Sequence, residues 1–148
     1  MLQLIVGLVL FLGAHSISIV SLSTRDALAA RMGELPFKIV YAIVSIVGLI
    51  LIVRGYGEAR LDPTIIYTTP EWTRHVTMLV MLPAFPALLA AYLPGRISQA
   101  LGHPMLVAVK AWALAHLLVN GTLADVLLFG GFLAWAVADR ISMKRRPE

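Results

Sequence analysis

The chain has 148 residues, of which 59% are hydrophobic and only 14% are charged, and its formal net charge at pH 7 is +4. Soluble globular domains are about half apolar and about a quarter charged, so this composition excludes an ordinary soluble protein and favours one embedded in a lipid bilayer. The basic residues lie mainly at the ends of apolar runs, which argues against a nucleic-acid-binding surface. The absence of cysteine excludes disulfides and thiolate ligands.

Five apolar runs are long enough, or nearly long enough, to cross a bilayer as helices, since a span needs about 20 mostly apolar residues. They predict an all-α fold, a polytopic transmembrane helical bundle that forms a single domain. The predicted spans are residues 2–22, 36–53, 72–93, 104–119 and 123–138, followed by a basic tail at residues 139–148.

Local signals in the first half of the chain predict where helices begin, bend and end. Thr24 can cap a short helix that Gly33 ends, because a hydroxyl accepts from an exposed backbone N–H and glycine tolerates a left-handed turn. The pair Thr69–Pro70 predicts the cap and first position of the third span. Pro83 and Pro86 lie inside that span and are expected to bend it.

The second half carries similar signals. Pro104 suits the first position of the fourth span, where its missing N–H costs nothing. The pair Asn120–Gly121 is expected to end that span in a left-handed turn. Thr122 and Asp125 have the spacing of a capping box and predict the start of the fifth span.

The distribution of Lys and Arg orients the chain. Five spans place the termini on opposite sides, and cytoplasmic connections carry an excess of basic residues. With the basic tail inside, the basic side also holds the connections that contain Arg25, Arg31, Lys38 and Arg96. We therefore expect the N-terminus outside and the C-terminus inside.

The four histidines are the strongest candidates for chemistry, because a polar ring is costly inside a membrane and marks a functional site by default. His15 and His116 lie within predicted spans, whereas His75 and His103 lie at span ends, where an interfacial ring is ordinary. In a chain without cysteine, haem b held by two histidines is the first interpretation. Zinc is an alternative that would require further nitrogen or oxygen ligands.

Two neighbours of His116 on the fourth span are also candidates for cofactor contact. Lys110 either extends its side chain to the membrane interface or contacts an anion such as a haem propionate. Trp112 shares a helical stripe with His116, so it either packs against neighbouring helices or contacts the cofactor.

Five different short motifs, rich in histidine, glycine and charged residues, are distributed along the chain. They are LGAHS at residues 12–16, RGYGEAR at 54–60, PEWTRH at 70–75, LGHP at 101–104 and AHLLVNG at 115–121. Together they resemble the NnrU family of integral membrane proteins over essentially the whole chain, and the last two motifs are the most specific.

The resemblance implies a multi-pass protein of the bacterial inner (plasma) membrane, associated with denitrification and with the handling of nitrite and nitric oxide. The family is similar to the 15-cis-zeta-carotene isomerase of plants and cyanobacteria, a membrane enzyme in which two histidines ligate haem b. By motif, those two ligands match His15 and His116, and the remaining two histidines match His75 and His103.

Several functions therefore stay open, including whether the protein is an enzyme. One is a haem-dependent cis–trans isomerase of a carotenoid-like polyene, a hydrophobic small molecule. Another is a non-enzymatic nitric-oxide sensor, haem carrier or maturation partner of a denitrification enzyme. A membrane methyltransferase is a more distant alternative, because small polytopic methyltransferases also carry histidine–proline motifs.

Overall fold

The computed structural model describes residues 1–146, and within them the chain is helical with one isolated β-bridge, which confirms the all-α prediction. Within these residues eight helices follow one another in the order α1 Leu2–Val20, α2 Leu22–Met32, α3 Glu34–Ala59, α4 Thr73–Met81, α5 Ala84–Ala90, α6 Arg96–Leu101, α7 Pro104–Val119 and α8 Leu123–Arg145. The last two residues of the predicted tail, Pro147 and Glu148, lie outside the described residues.

In the part of the chain that the structure describes, four helical stretches are long and apolar enough to cross a membrane: Leu2–Val20, Glu34–Ala59, Thr73–Ala90 and Leu123–Arg145. They coincide with four of the predicted spans, so the multi-pass helical architecture is confirmed. The fourth predicted span coincides with α7, which begins and ends at the predicted residues. That helix is apolar but has only 16 residues. At 1.5 Å per residue it extends about 24 Å, less than the hydrocarbon thickness of a bilayer.

The chain divides into two compact units. Unit 1 comprises Met1–Pro63 together with the C-terminal residues from Ile141, and unit 2 comprises Thr64–Arg140. Helix α8 contributes residues to both units, because it continues to Arg145, beyond the predicted end of the fifth span at residue 138.

In unit 1, α1 and α3 pack along each other with their backbones in close contact. The contact is made by glycine: a β-carbon built on Gly7 would lie 2.6 Å from the backbone nitrogen of Ile52. One built on Gly55 would overlap the backbone of Leu4. Leu4 is fully buried and Ile52 nearly so. Small residues allow this approach, which gains dispersion energy where lipid offers no hydrophobic driving force.

Helix α2 connects α1 and α3 and has no buried residue. The prediction that Thr24 caps it is wrong, because the cap is Ser21, whose Oγ accepts from the backbone N–H of Thr24 at 3.2 Å. The helix begins two residues before the predicted cap, since Leu22 and Ser23 are already helical. The predicted end is confirmed, because Gly33 adopts φ +90°, a conformation that glycine tolerates best.

In unit 2, the predicted third span is two helices, α4 and α5, which separate at Leu82 and Pro83. The predicted start at Thr69–Pro70 is wrong. The carbonyl of Pro70 instead closes a turn, accepting from the N–H of Thr73 at 3.1 Å and from its hydroxyl at 2.6 Å. Pro86 interrupts no helical hydrogen bond, because it lies in the first turn of α5.

Helices α4 and α5 both pack against α7 through small residues. Ala87, Ala113 and Ala115 are almost completely buried at 1%, 0% and 0% exposure. The hydroxyl of Thr77 on α4 donates to the carbonyl of Ala115 on α7 at 3.2 Å. The alanine contacts and this hydrogen bond therefore hold α7 against α4 and α5.

The glycine contact in unit 1 can be tested by adding one methyl group. We expect Gly55→Ala to lower the free energy of unfolding by about 1–3 kcal/mol, the usual cost of overpacking a tight interface. Gly57→Ala is the matched control, because a β-carbon built at Gly57 meets nothing within 4 Å. Alanine's higher helix propensity should leave the control as stable as the wild type or more so. Unfolding in mixed detergent–dodecylsulfate micelles measures both, and equal midpoints would contradict the glycine contact.

Candidate functional site

His15 lies half-buried in α1 of unit 1 with its ring held from two directions. Its Nδ1 is 2.6 Å from the carbonyl oxygen of Phe11, one helical turn earlier. Its ring stacks on the Phe11 ring, with centroids 4.3 Å apart, and meets the Tyr41 ring of α3 at 5.4 Å. Because a carbonyl only accepts hydrogen bonds, Nδ1 must carry the proton, which puts the imidazole lone pair on Nε2.

His116 lies half-buried in α7 of unit 2 and repeats this arrangement. Its Nδ1 is 2.8 Å from the carbonyl oxygen of Trp112, again one turn earlier. Its ring stacks on Phe129 of α8 at 4.7 Å, with only 20° between the planes. The same reasoning assigns the proton to Nδ1 and the lone pair to Nε2.

In both imidazoles a hydrogen bond thus occupies one ring nitrogen, as is typical of metal-binding histidines. Such histidines almost always donate their second ring N–H to a carbonyl or carboxylate, which fixes the tautomer and makes the ligating nitrogen more basic. Within residues 1–146 no group of three or more His, Cys, Asp or Glu side chains could hold a metal ion. The zinc interpretation, which needs several protein ligands, therefore gains no support there. Haem needs only axial ligands from the protein, so each imidazole by itself is a donor of the kind that haem uses.

The other two histidines lie at helix starts, as predicted. His75 is exposed near the beginning of α4. His103 is half-buried immediately before α7, where its carbonyl accepts from the N–H of Val107 at 3.2 Å. Within unit 2, only His116 among the three histidines is stacked on an aromatic ring in the contacts described.

Trp112 packs with its neighbours on α7 and α8, which is one of the two roles expected for it. Its ring meets Phe129 edge-on at 5.0 Å and Phe132 at 5.6 Å, and it lies 5.4 Å from the ring of His116. A cofactor contact stays a prediction for Trp112, as it does for Lys110, which is half-buried on the same helix. The packing restricts the motion of the His116 ring.

The segment after α7 is organised by Tyr67, which lies in the connection between α3 and α4. The Tyr67 hydroxyl lies within hydrogen-bond distance of the carbonyls of Leu117 and Asn120, the second at 2.9 Å. The carbonyl of Gly121 in turn accepts from the N–H of Ile66 at 2.7 Å and from that of Tyr67 at 3.1 Å. Tyr67 therefore supplies partners for carbonyls that the end of α7 leaves without helical ones.

The predicted left-handed turn at Asn120–Gly121 is wrong. Asn120 is extended, at φ −120° and ψ 110°, and within residues 1–146 a φ in the left-handed region occurs only at Gly33 and Gly102. Backbone groups of residues 121–123 instead pair with residues 64–67, and these hydrogen bonds take the place of the turn. Glycine is required at 121 for a different reason, because a β-carbon there would overlap the carbonyl of Tyr67.

The capping box at the start of α8 is confirmed. Asp125 Oδ2 accepts from the N–H of Thr122 at 3.2 Å and from its hydroxyl at 2.6 Å. Thr122 Oγ1 accepts from the N–H of Asp125 at 3.2 Å. Asp125 is 4% exposed and lines, with Tyr67 and Arg74, a polar cavity of about 320 Å³. Burial raises the pKa of the Tyr67 hydroxyl above its ordinary value, and the charge of Asp125 adds to the rise.

Comparison with known proteins places the chain in a family. The family model described as NnrU protein matches residues 3–148. The chain therefore belongs to the NnrU family, as its motifs indicate. No curated protein and no solved structure matches it.

The capping role of Tyr67 can be tested by removing one oxygen. We expect Tyr67→Phe to lower the free energy of unfolding by about 1–2 kcal/mol, because the carbonyls at the end of α7 lose their donor. Tyr92→Phe is the control, since Tyr92 is 75% exposed. Thermal unfolding in detergent measures both variants, and equal melting temperatures for them would contradict the role.

The same variant gives a second readout through pH. The raised pKa means that the folded chain keeps the Tyr67 proton when the unfolded chain has already lost it. The contribution of this group is therefore complete below about pH 10 and is lost as the pH rises through the folded value. The stability difference between wild type and Tyr67→Phe should shrink over that alkaline window, and a constant difference would contradict it.

Proposed function

We propose that this member of the NnrU family is a plasma-membrane protein of bacteria that binds haem b and serves nitrogen-oxide metabolism linked to denitrification. His15 and His116 are the proposed sources of axial imidazole. One observation carries the proposal. Both rings donate Nδ1–H to the carbonyl four residues earlier, at 2.6 and 2.8 Å, so in both rings Nε2 carries the lone pair that would bind iron.

The residues around each imidazole would do specific work in such a site. Phe11 and Phe129 restrain the rotation of His15 and His116, because each phenyl ring covers one face of its imidazole. The carbonyls of Phe11 and Trp112 hold the tautomer and increase the electron density on Nε2. Bound haem would supply an iron centre whose ligation can change with its oxidation state.

A second candidate function, isomerisation of a hydrophobic polyene, is favoured by a groove near His116. Within unit 2 an apolar groove of about 200 Å³ runs along α4, α5 and α7, with Phe85, Leu88 and Trp112 in its lining. Trp112 also contacts the His116 ring at 5.4 Å. An apolar groove that is lined by a ring in contact with a candidate iron ligand suits a hydrophobic small molecule.

The absorption spectrum of the purified protein tests the haem proposal. Expressed with ample haem, the wild type should show a Soret band and, after dithionite, the sharp visible bands of low-spin ferrous haem. We expect His15→Ala and His116→Ala each to reduce bound haem about 10-fold or more, or to convert the iron to high spin, because an axial ligand is lost. The pyridine haemochrome assay measures the haem content.

Two controls keep this test specific. His75→Ala removes an exposed histidine and should leave the spectrum unchanged. Imidazole added to the alanine variants should restore the low-spin bands if the lost ring was a ligand. A wild-type spectrum in both His15→Ala and His116→Ala, with the pigment retained, would refute the proposal.

Turnover separates the isomerase from a haem carrier or sensor. If the groove takes a polyene, the dithionite-reduced protein should convert a cis-polyene to its trans isomer, and chromatography would measure the ratio of isomers. Leu88→Trp, which narrows the groove, should slow the conversion without changing the haem spectrum. Bound haem with no conversion would refute the isomerase and leave the non-enzymatic role.

A further inference from the structure

Unit 1 contains a cavity of about 580 Å³ in which three cationic side chains from three parts of the chain meet. Arg25 comes from α2, Lys38 from α3 and Arg146 from the residue after α8. We call it the basic cavity. Residues so far apart in sequence converge here, and the proposed haem ligand His15 is not among the lining residues.

The three cations are held in different ways. Arg146 is anchored: its Nη2 donates to the carbonyl of Ser18 at 2.8 Å and to the hydroxyl of Ser142 at 3.2 Å. Arg25 and Lys38 form ion pairs with Asp26 at 3.0 Å and Glu34 at 2.7 Å.

The ion pairs with those two acids leave Arg25 and Lys38 available to bind a phosphate group. Asp26 and Glu34 are 64% and 79% exposed, and neither lines the basic cavity. Exposed pairs of this kind contribute little energy, so exchanging an acid for a phosphate costs little. The cavity lining itself contains three cations and no carboxylate.

An apolar groove of about 370 Å³ continues from the basic cavity along α1, α2 and α3. The two share Ala14, Ile17, Phe37 and Tyr41 in their linings, so the groove adjoins the basic cavity. Beyond the shared part the groove is lined by aliphatic residues such as Leu10, Leu28 and Val40. At Gly13 a β-carbon would meet nothing within 4 Å, so the wall is open at that point.

We propose that this space binds one anionic phospholipid, with its phosphate in the basic cavity and an acyl chain in the groove. The charge of the cavity complements a phosphate head, and the groove complements a hydrocarbon chain. A free inorganic anion would use the cavity but not the groove, which is why the geometry favours a lipid.

The position in the chain agrees with this occupant. The Lys and Arg distribution predicts that α2 and its neighbours face the cytoplasm, where anionic lipids attract basic segments. Helix α2 has no buried residue and exposes Leu28 beside Arg25 and Arg31, as a helix at a membrane interface does. Basic pockets beside membrane helices on this side commonly bind anionic head groups.

Lipid retention by the full chain tests the proposal. The purified protein is placed in nanodiscs of phosphatidylcholine with a minor fraction of phosphatidylglycerol, re-extracted into detergent, and its retained lipids are quantified by mass spectrometry. The wild type should retain phosphatidylglycerol preferentially. Arg146→Gln and Lys38→Gln should each lower that preference about 5-fold, the effect of about one cation at a membrane surface.

Matched variants separate head and chain binding. Arg31→Gln removes an exposed cation of α2 that does not line the basic cavity and should leave the preference unchanged. Gly13→Leu should fill the groove and lower retention of phosphatidylglycerol, whereas Gly57→Leu, another open glycine position outside the groove, should not. Lys38 is 62% exposed, so its variant should fold even if Arg146→Gln does not.

Three results would overturn the proposal. The first is equal preference in Lys38→Gln and Arg31→Gln. The second is unchanged retention in folded Gly13→Leu. The third is displacement of phosphatidylglycerol by an equal concentration of inorganic phosphate, which would identify a site for small anions. None of these results depends on haem, so the proposed function is tested separately.

Discussion

Backbone carbonyls are the hydrogen-bond partners of the two candidate histidines and of several other polar side chains in this chain. A lipid-embedded helix offers no water to a polar group, so each one must find a partner within the protein. His15, Ser16 and His116 satisfy this by reaching back one turn along their own helices. Tyr67, Thr77 and Arg146 reach carbonyls of other helices. The same type of hydrogen bond thus satisfies buried polarity, joins helices and fixes tautomers.

This constraint gives the histidines their chemical character. A histidine placed in an apolar helix only to fill space would still need two partners for its two nitrogens. Here a backbone carbonyl accepts the hydrogen bond from Nδ1–H, and a stacked aromatic ring covers one face of the imidazole. What the arrangement fixes is the nitrogen that carries the lone pair. Haem binding is proposed on this basis, because an iron porphyrin needs only axial ligands from the protein and an imidazole Nε2 can serve as one.

Local signals in the sequence were informative in part, since the helix starts predicted at Thr24 and at Thr69–Pro70 are wrong. Apolar run length located the membrane helices, and the Thr122–Asp125 spacing predicted a box that the hydrogen bonds confirm. The prediction at Asn120–Gly121 failed because a distant segment supplies the hydrogen-bond partner. Asn120 and Gly121 do not form a turn, because Tyr67, more than fifty residues earlier, already satisfies the carbonyls there. No periodicity or motif carries that information. The basic cavity escaped prediction likewise, since Arg25, Lys38 and Arg146 meet only in the folded chain.

The shape of unit 1 follows from where glycine occurs on the two long helices. The buried residues of α1 are Leu4, Gly7 and Leu8, all near its start, and those of α3 are Gly48, Ile52 and Gly55, all in its second half. The helices run antiparallel, so these halves face each other and approach closely.

In the opposite halves, aromatic rings rather than glycines meet between the two helices. His15 of α1 meets Tyr41 of α3 at 5.4 Å between centroids, and Phe37 lies one turn before Tyr41. Large side chains hold the backbones apart where glycine would let them touch. The gap that results is the space that Tyr41 and Phe37 line, from the basic cavity into the apolar groove. Close packing at one end of the helix pair and aromatic spacing at the other therefore explain why a cavity forms at the basic end, and why the candidate imidazole and the candidate lipid site share Tyr41 as a neighbour.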